Sequence, residues 1–303
     1  MLNVKPSRYN LIVNSQPDGN ILLFNTFSTA LGLFGKESQK FLKEGHYNTD
    51  KLSDSSRNII KQLISMGFIV DHDLDELSRL ELRENLARYG NRNLTLTIGP
   101  TMNCNMCCPY CFETKGNQSM TSETADKLIQ FIKGYIEARK IESVNIVWYG
   151  GEPLLELGRI EQISEAIIPL CEEKNISYSA YIITNGYCLD QGSAELLKSL
   201  KVKFVQITID GLEETHNARR RLKNGDGSFW TIVKNIDAIK NILPIIIRVN
   251  VDQINAQEID ALLDFFMDEM HWGKNPAFYL APVEKNTDAC GVNVEACLSP
   301  DDF

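Results

Sequence analysis

The stretch LTLTIGPTMNCNMCCPYCFE, residues 94–113, joins a strand pattern to a loop that carries four cysteines. Leucine and isoleucine alternate with threonine over residues 94–98, which is typical of a β-strand. Cys104, Cys108 and Cys111 follow on one short loop. Three thiolates in this arrangement can hold three irons of a cubane [4Fe–4S] cluster and leave the fourth iron open to an external ligand. The sequence therefore predicts a metal centre in this loop.

The same loop allows two other interpretations. Cys104 with Cys107, and Cys108 with Cys111, form two CxxC pairs that could bind zinc. Structural zinc sites, however, normally bring together pairs from separated segments, and four ligands this close would strain a tetrahedron. A purely structural group of thiols is the third interpretation. We favour the cluster.

Strands and helices alternate from residue 94 onward. The predicted strands cover residues 94–98, 144–148, 178–183, 204–209, 245–251 and 277–280, and the predicted helices cover residues 122–139, 158–171, 193–200, 229–242 and 257–270. Apolar, β-branched strands between helices predict an α/β fold, in which a parallel sheet covered by helices curls into a full or partial barrel. In such folds the chemistry lies on the loops that follow the strands.

A second group of residues that suit ligand binding follows the next predicted strand: Gly150, Gly151, Glu152 and Pro153. Two glycines allow the backbone to approach a ligand closely, and a carboxylate beside them can accept hydrogen bonds from an ammonium group. The alternative is an ordinary strand-to-helix turn, since glycine and proline punctuate most loops.

Polar residues also follow the third and fourth predicted strands of this region. They are Thr184-Asn185-Gly186, then Thr208-Ile209-Asp210-Gly211, and after these His216, Asn217 and Arg220. Arg220 suits a carboxylate, because the guanidinium group is a bidentate fork. Alternatively, Asp210 and Arg220 only pin a loop by a local ion pair, and Asn185-Gly186 is only a turn.

The pattern CxxxCxYC from Cys104 to Cys111, followed by Phe112-Glu113, resembles the signature of radical S-adenosylmethionine (SAM) enzymes. The resemblance is strongest to the branch of peptide maturases and anaerobic sulfatase-maturing enzymes. In that family the open iron binds the amino and carboxylate groups of SAM, and a low-potential electron cleaves SAM to a 5′-deoxyadenosyl radical. The resemblance implies a partial (β/α)6 barrel, a [4Fe–4S] cluster and SAM as cofactors, and an electron donor such as a flavodoxin or ferredoxin. Cys107 occupies a variable position of the pattern, so no ligand role is implied for it.

The later motifs resemble the same family in the same order. Residues 150–153 resemble the GGEP motif that binds the SAM amino group, with Glu152 as the partner. Residues 184–186 and 208–220 resemble stretches whose hydroxyl and guanidinium groups are candidates for contacts to the SAM ribose or carboxylate. The implied metal ligands are Cys104, Cys108 and Cys111, and the implied SAM contacts are Tyr110, Gly150, Gly151, Glu152, Pro153, Asn185, Thr208 and Arg220.

The first 92 residues follow another pattern. Two apolar runs, residues 9–13 and 21–24, flank the turn-rich Pro17-Asp18-Gly19-Asn20 and predict a β-hairpin. Helical periodicity covers residues 28–42 and 55–66, and a short apolar run follows Gly67. These elements predict a small α+β winged-helix-like module. The charged stretch 71–92 predicts a turn and a linker helix that ends the module near residue 92.

This module resembles the N-terminal region of radical SAM peptide maturases, a winged-helix module that in many members binds a precursor's leader peptide. The resemblance lies in Tyr9-Asn10-Leu11, in residues 22–26 and in residues 66–70. It implies that an exposed strand edge accepts an extended leader by strand addition. The alternative is a domain that only packs against the barrel.

We expect three parts: the module and linker in residues 1–92, the partial barrel in residues 93–285, and a tail in residues 286–303. The family branch usually continues into a cysteine-rich region that binds auxiliary clusters. Cys290 and Cys297 are too few for an ordinary four-ligand cluster. The chain is therefore expected to be either a shortened form or a fragment of a longer protein. Cys171 and Cys188 are expected to be core or incidental thiols.

The composition favours a small or peptidic substrate over nucleic acid or a membrane. A net charge of −9 argues against general affinity for nucleic acid or an anionic membrane, and no stretch is apolar enough to predict a membrane span. We expect a cytoplasmic radical SAM enzyme that modifies a ribosomally made precursor peptide, for example by a thioether or other cross-link. The alternatives are formylglycine formation in a sulfatase and, in another class, a non-catalytic peptide-binding or zinc-structural protein.

Overall fold

The computed structural model describes residues 3–15, 19–43, 47–90, 92–114, 116–273 and 275–284, together with Cys297. The chain divides into two compact units, Met1–Gly90 and Asn91–Phe303. In the described residues, no helix has both the length and the apolar character that crossing a membrane requires.

The N-terminal unit contains two antiparallel sheets and several helices. Its elements are β1 (Asn3–Pro6), β2 (Asn10–Ser15), β3 (Ile21–Asn25), β4 (Leu31–Phe34), α1 (Lys36–Leu42), β5 (Tyr47–Asn48), α2 (Asp54–Ser65), β6 (Ile69–Asp71) and α3 (Glu76–Tyr89). The strand orders are β5-β1-β6 and β2-β3-β4. Val4, Leu23, Phe41, Ile60, Leu63, Phe68 and Ile69 form its apolar core.

Local signals explain the predicted hairpin and the second predicted helix. Strands β2 and β3 pair antiparallel as predicted, although Pro17 and Asp18 of the predicted turn lie outside the described residues. Helix α2 begins where the Ser53 hydroxyl accepts a hydrogen bond from the backbone N–H of Ser56. It ends before Gly67, whose φ of 82° favours glycine.

The prediction of a helix over residues 28–42 is wrong for its first half. Leu31–Phe34 is strand β4, and α1 begins only at Lys36. Thr29 has a φ of 59°, and this left-handed residue lies in the turn between β3 and β4. The apolar residues of β4 fit either period, and antiparallel pairing with β3 decided between them.

The second unit is built from alternating strands and helices. They are β7 (Asn93–Ile98), α4 (Ser122–Ala138), β8 (Ser143–Trp148), α5 (Leu157–Glu173), β9 (Ser177–Thr184), α6 (Gln191–Ser199), β10 (Val202–Thr208), α7 (Glu213–Arg219), α8 (Phe229–Ile239), β11 (Ile245–Val251), α9 (Ile259–Asp264) and β12 (Ala277–Pro282). The strands form one parallel sheet in the order β12-β11-β10-β9-β8-β7. This confirms the predicted α/β class and the partial barrel.

The two faces of this sheet differ in chemistry. In β9, Tyr178, Ala180 and Ile182 are buried in the apolar core, whereas Ser179 and Tyr181 between them are only half-buried. Side chains alternate between the faces of a strand, so one face carries the core and the other is free for polar and aromatic residues. The second face lines the site described next.

Candidate functional site

A cavity of about 510 Å³ lies in the second unit, lined by residues from the carboxyl ends of the parallel strands. Its wall includes the three predicted metal ligands Cys104, Cys108 and Cys111, and the predicted cofactor contacts Tyr110, Gly150, Gly151, Asn185, Thr208 and Arg220. Glu152 and Pro153 are buried and do not line it. The fold therefore brings together residues that are more than 100 positions apart in the sequence, such as Cys104 and Arg220.

The cysteine loop is held by backbone hydrogen bonds on two sides. On one side, the carbonyl of Asn103 accepts from the N–H of Glu152 at 2.8 Å. On the other, the carbonyl of Asn105 accepts from the N–H of Lys223 at 2.9 Å, and the N–H of Cys107 donates to the carbonyl of Arg221 at 3.0 Å. The position of the loop is therefore set by the turn after β8 and by the segment after α7.

The close contact between the turn after β8 and the cysteine loop explains why two glycines occur in that turn. A Cβ on Gly150 would lie 2.5 Å from the carbonyl oxygen of Thr101, and one on Gly151 would lie 2.4 Å from that of Asn103. Gly150 also has a φ of 105°. Side chains at these positions would push the turn away from the cysteine loop. In this structure, the close approach that the two glycines permit is therefore one between two segments of the protein's own backbone.

The Cys104 thiol is partly buried, which affects how readily it can become a metal ligand. Burial raises the pKa of the Cys104 thiol to about 11, and the N–H of Met106 donates to its Sγ at 3.4 Å. A ligand thiol must lose its proton, so metal binding has to compensate for that burial. Among the described residues, no group of His, Cys, Asp or Glu side chains is arranged to hold a single metal ion. A cubane places each thiolate on a different iron, so its ligands need not converge on one point.

Glu152 connects the turn after β8 with the end of β9. One carboxylate oxygen accepts from the N–H of Leu154 at 3.0 Å and the hydroxyl of Thr184 at 2.6 Å, and the other accepts from the N–H of Asn185 at 2.7 Å. Burial raises the pKa of this carboxyl, and these hydrogen bonds lower it. Glu152 thus orders two loops of the cavity and caps the short helix Pro153–Glu156 that follows it. Its contact to the SAM ammonium group stays a prediction.

Tyr110 lies between Asp210 and Arg220. Its hydroxyl donates to Oδ2 of Asp210 and accepts from Nη1 of Arg220 at 2.5 Å. Burial raises the pKa of Tyr110, so the phenol keeps its proton. The local ion pair that the sequence allows for Asp210 and Arg220 is therefore bridged by the tyrosine of the cysteine loop. Within the described part of the chain, the buried Nε of Arg220 has no hydrogen-bond partner.

Several residues of this network were not predicted. Arg219 forms a buried ion pair with Asp252 at 2.7 Å, and the N–H of Asn250 donates to Asp210 at 2.9 Å. Asn250 and Asp252 lie at the end of β11, on the same rim as the predicted motifs. The available signal is the position of two polar residues at the end of a strand, but the apolar pattern of residues 245–251 predicts only the strand itself.

His216 fixes the backbone at Arg220 through the hydroxyl of Ser228. Its Nε2 lies 3.0 Å from the hydroxyl of Ser228, which donates to the carbonyl oxygen of Arg220 at 2.7 Å. Burial, and then the charges of Arg220 and Arg219, hold the pKa of His216 well below its usual value. The ring is therefore neutral, and its role here is to fix the end of α7.

Cys171 and Cys188 do not line the cavity. Cys171 is buried in the core of the second unit, as predicted. Cys188 is exposed, with its Sγ 3.8 Å from the side-chain amide of Asn105. Cys290 lies outside the described residues.

Comparison with known proteins gives relatives of related chemistry. The radical SAM cyclopropyl synthase TigE of Paramaledivibacter caminithermalis is 22% identical over 92% of this chain and 66% of its own length. The sporulation killing factor maturation protein SkfB of Bacillus subtilis is 23% identical over 56% of this chain and 39% of its own length. Anaerobic sulfatase-maturating enzymes are also relatives. The chain thus spans less than two thirds of the length of these two proteins.

A solved structure has the same fold. The structure of native anSMEcpe with bound AdoMet and Cp18Cys peptide superposes with a TM-score of 0.56 at 22% identity, covering 69% of this chain and 56% of that one. Residues 98–266 match the radical SAM superfamily, whose members use a [4Fe–4S] cluster and SAM. The match covers more than half of the 303 residues, so this chain belongs to the radical SAM superfamily.

Proposed function

We propose that this protein uses a cluster on Cys104, Cys108 and Cys111 to cleave SAM reductively and to modify a ribosomally synthesised peptide. The observation that carries the proposal is that one cavity is lined both by these thiols and by most of the predicted SAM contacts. When bound, the cluster and SAM supply a 5′-deoxyadenosyl radical that takes a hydrogen atom from the substrate.

The protein's own residues would bind and orient SAM beside the cluster. Arg220 has a planar fork suited to the SAM carboxylate, and its position is fixed by Tyr110 and by the neutral His216 through Ser228. Asn185 presents an amide beside the thiol of Cys104, with Nδ2 3.8 Å from Sγ. These groups would favour one orientation of the cofactor and replace water around it.

A peptide substrate is supported by the relatives and by the N-terminal unit. SkfB is named as a maturation protein, and the structure of anSMEcpe holds a peptide. In the N-terminal unit, β2 and β4 are the edges of one sheet. Leu11, Ile12 and Val13 of β2, and Leu31 and Leu33 of β4, are each more than half exposed. An apolar sheet edge can accept an extended peptide by strand addition, so this unit is our proposed recruiter of the precursor.

Formylglycine formation is the second candidate, because sulfatase-maturating enzymes are among the relatives. The two candidates differ in what the N-terminal unit does. A maturase that recruits a leader peptide needs the exposed sheet of that unit. Oxidation of a Cys or Ser in a sulfatase does not require a leader-binding sheet.

The direct test is reductive SAM cleavage by the full chain. The protein is reconstituted anaerobically with iron and sulfide and incubated with SAM, with and without dithionite, and 5′-deoxyadenosine is measured. We expect 5′-deoxyadenosine only with dithionite. A variant with Cys104, Cys108 and Cys111 replaced by Ala should form none, and Cys171→Ala is the matched control. Reconstituted wild type that binds zinc but assembles no cluster and forms no 5′-deoxyadenosine would contradict the proposal.

A further inference from the structure

Arg248 is a second arginine in the cavity, and the proposed function gives it no task. It lies in β11, opposite Thr208 of β10 in the parallel register. Its side chain is half-buried and lines the same cavity as Arg220 and the three thiols. SAM carries one carboxylate, for which Arg220 is the proposed partner. The cavity therefore holds one guanidinium more than the cofactor uses.

The guanidinium of Arg248 is oriented along one edge only. Its Nε donates to Oδ1 of Asn250 at 2.8 Å, and Asn250 is itself fixed by two hydrogen bonds to Asp210, from its N–H at 2.9 Å and its Nδ2 at 3.2 Å. This arrangement fixes the plane of the fork and leaves the Nη1 and Nη2 groups for another partner. A fork held in this way is pre-organised for a planar anion.

Among the residues that the structure describes, Arg248 has no close counter-ion. Glu113 and Glu284 line the cavity, but across the described ranges no carboxylate oxygen lies within 4.0 Å of an Arg248 nitrogen. A positive charge that is partly removed from water is best stabilised by an anion. An anionic ligand group at this place would meet that need.

A further donor stands on the neighbouring strand. The hydroxyl of Tyr279 donates to Oε1 of Gln206 at 3.1 Å, which leaves the Nε2 hydrogens of Gln206 to donate. Gln206 lies on β10 next to β11 and lines the cavity with Arg248. A fork and an amide donor on adjacent strands suit the two oxygens of a carboxylate.

We propose that Arg248 is a specificity-determining residue that binds a carboxylate of the peptide substrate, from an acidic side chain or from the C-terminus, inside the reaction cavity. This inference rests on the proposed function and specifies, in addition, that the peptide substrate carries a negatively charged carboxylate. The substrate would carry the carboxylate close to the residue that is modified.

The test measures binding without turnover, so it is independent of SAM cleavage. The full reconstituted chain is loaded with SAM in the absence of reductant and titrated with three pentapeptides. The first two are blocked at both ends and carry a central Glu or a central Gln. The third contains only glycine and has a free C-terminal carboxylate. Wild type should bind the Glu peptide or the free-carboxylate peptide about tenfold more tightly than the Gln peptide, and the preferred peptide identifies the source of the carboxylate.

Variants of Arg248 assign the preference to this side chain. Arg248→Gln should remove it and leave SAM affinity unchanged, while Arg248→Lys, which keeps the charge without the fork, should keep part of it. Arg139→Gln, at an exposed position of the same unit, should behave as wild type. Equal or undetectable binding of all three peptides to wild type would overturn the proposal. So would a loss of SAM affinity in Arg248→Gln that matches the loss of peptide preference, since the carboxylate would then be that of SAM.

Discussion

The two compact units are distinguished by different features: a buried polar network around a cavity in the second unit, and apolar side chains exposed on strands in the N-terminal unit. The second unit buries polar groups such as Asp210, Arg219 and Arg220 in a hydrogen-bonded network around its cavity. The N-terminal unit instead exposes apolar side chains, among them Ile12 and Leu33, on the strands of an open sheet. Buried polar networks fix geometry, which chemistry requires, whereas exposed apolar edges suit binding to a partner. This difference is the basis of our proposal that the second unit carries out catalysis and the N-terminal unit recruits the peptide.

The largest effect is expected from the cysteine loop, because one loop brings the three thiolates together. Cys108→Ala should abolish the cluster that wild type assembles on anaerobic reconstitution, since two remaining thiolates cannot hold the cubane. Iron and sulfide analysis with the visible absorption spectrum measures this, and Cys188→Ala is a matched control at an exposed thiol. Unchanged iron content in Cys108→Ala, or far more iron than one cluster holds in wild type, would show that the ligands are wrongly assigned.

Removal of the N-terminal unit should separate the two tasks. A chain that lacks residues up to Gly90 should still assemble the cluster and cleave SAM, because the cavity residues all lie in the second unit. Its affinity for a precursor peptide should fall strongly, as judged by fluorescence anisotropy of a labelled peptide. In the intact chain, Ile12→Lys should weaken the same binding without changing SAM cleavage. A truncated chain that binds precursor as tightly as the full chain would remove the recruitment hypothesis.

The smallest effect concerns Glu152, whose carboxylate orders two loops of the cavity. The sequence also predicts that this carboxylate accepts a charge-assisted hydrogen bond from the SAM ammonium group. Such a bond contributes about 1.5 to 3 kcal/mol, so Glu152→Ala should weaken SAM binding on the order of tenfold to a hundredfold. Its melting temperature should also fall, because the donors of Leu154, Thr184 and Asn185 lose their acceptor. Cluster assembly should survive.

The control for Glu152 is Glu156→Ala, at the last residue of the same short helix. Iron content, melting temperature and SAM affinity are measured on both variants. A lowered melting temperature with unaltered SAM affinity in Glu152→Ala would leave this residue a structural role alone.

The sequence predicted the second unit well because its signals are local and periodic. Each strand of the parallel sheet is a short run of apolar or alternating residues between helices, and the motif residues lie directly after strands. The β4 strand was missed because its four residues carry too short a pattern to distinguish a strand from a helix. Tertiary pairing with β3, which a local pattern does not report, determined its structure.

The motif residues of the candidate site can be named from the sequence, but the contacts that connect them cannot. Cys104, Arg220 and Gly150 were named from motifs, yet the bridging position of Tyr110 depends on contacts across about a hundred residues of sequence. The sequence does not predict a role for Arg248, because a single arginine within an apolar strand belongs to no recognisable motif. Its meaning comes from the cavity it faces and from the absence of a carboxylate near it in the described residues.

The fit of Gly150 and Gly151 against the carbonyls of Thr101 and Asn103 has a consequence for protein engineering. The two loops touch through backbone atoms, so neither can be exchanged alone for a loop of different length or shape. A chimera that imports a foreign cysteine loop would need to import its glycine partner as well. The unit of transplantation is therefore the pair of loops together with strands β7 and β8, whose register sets the two loops side by side.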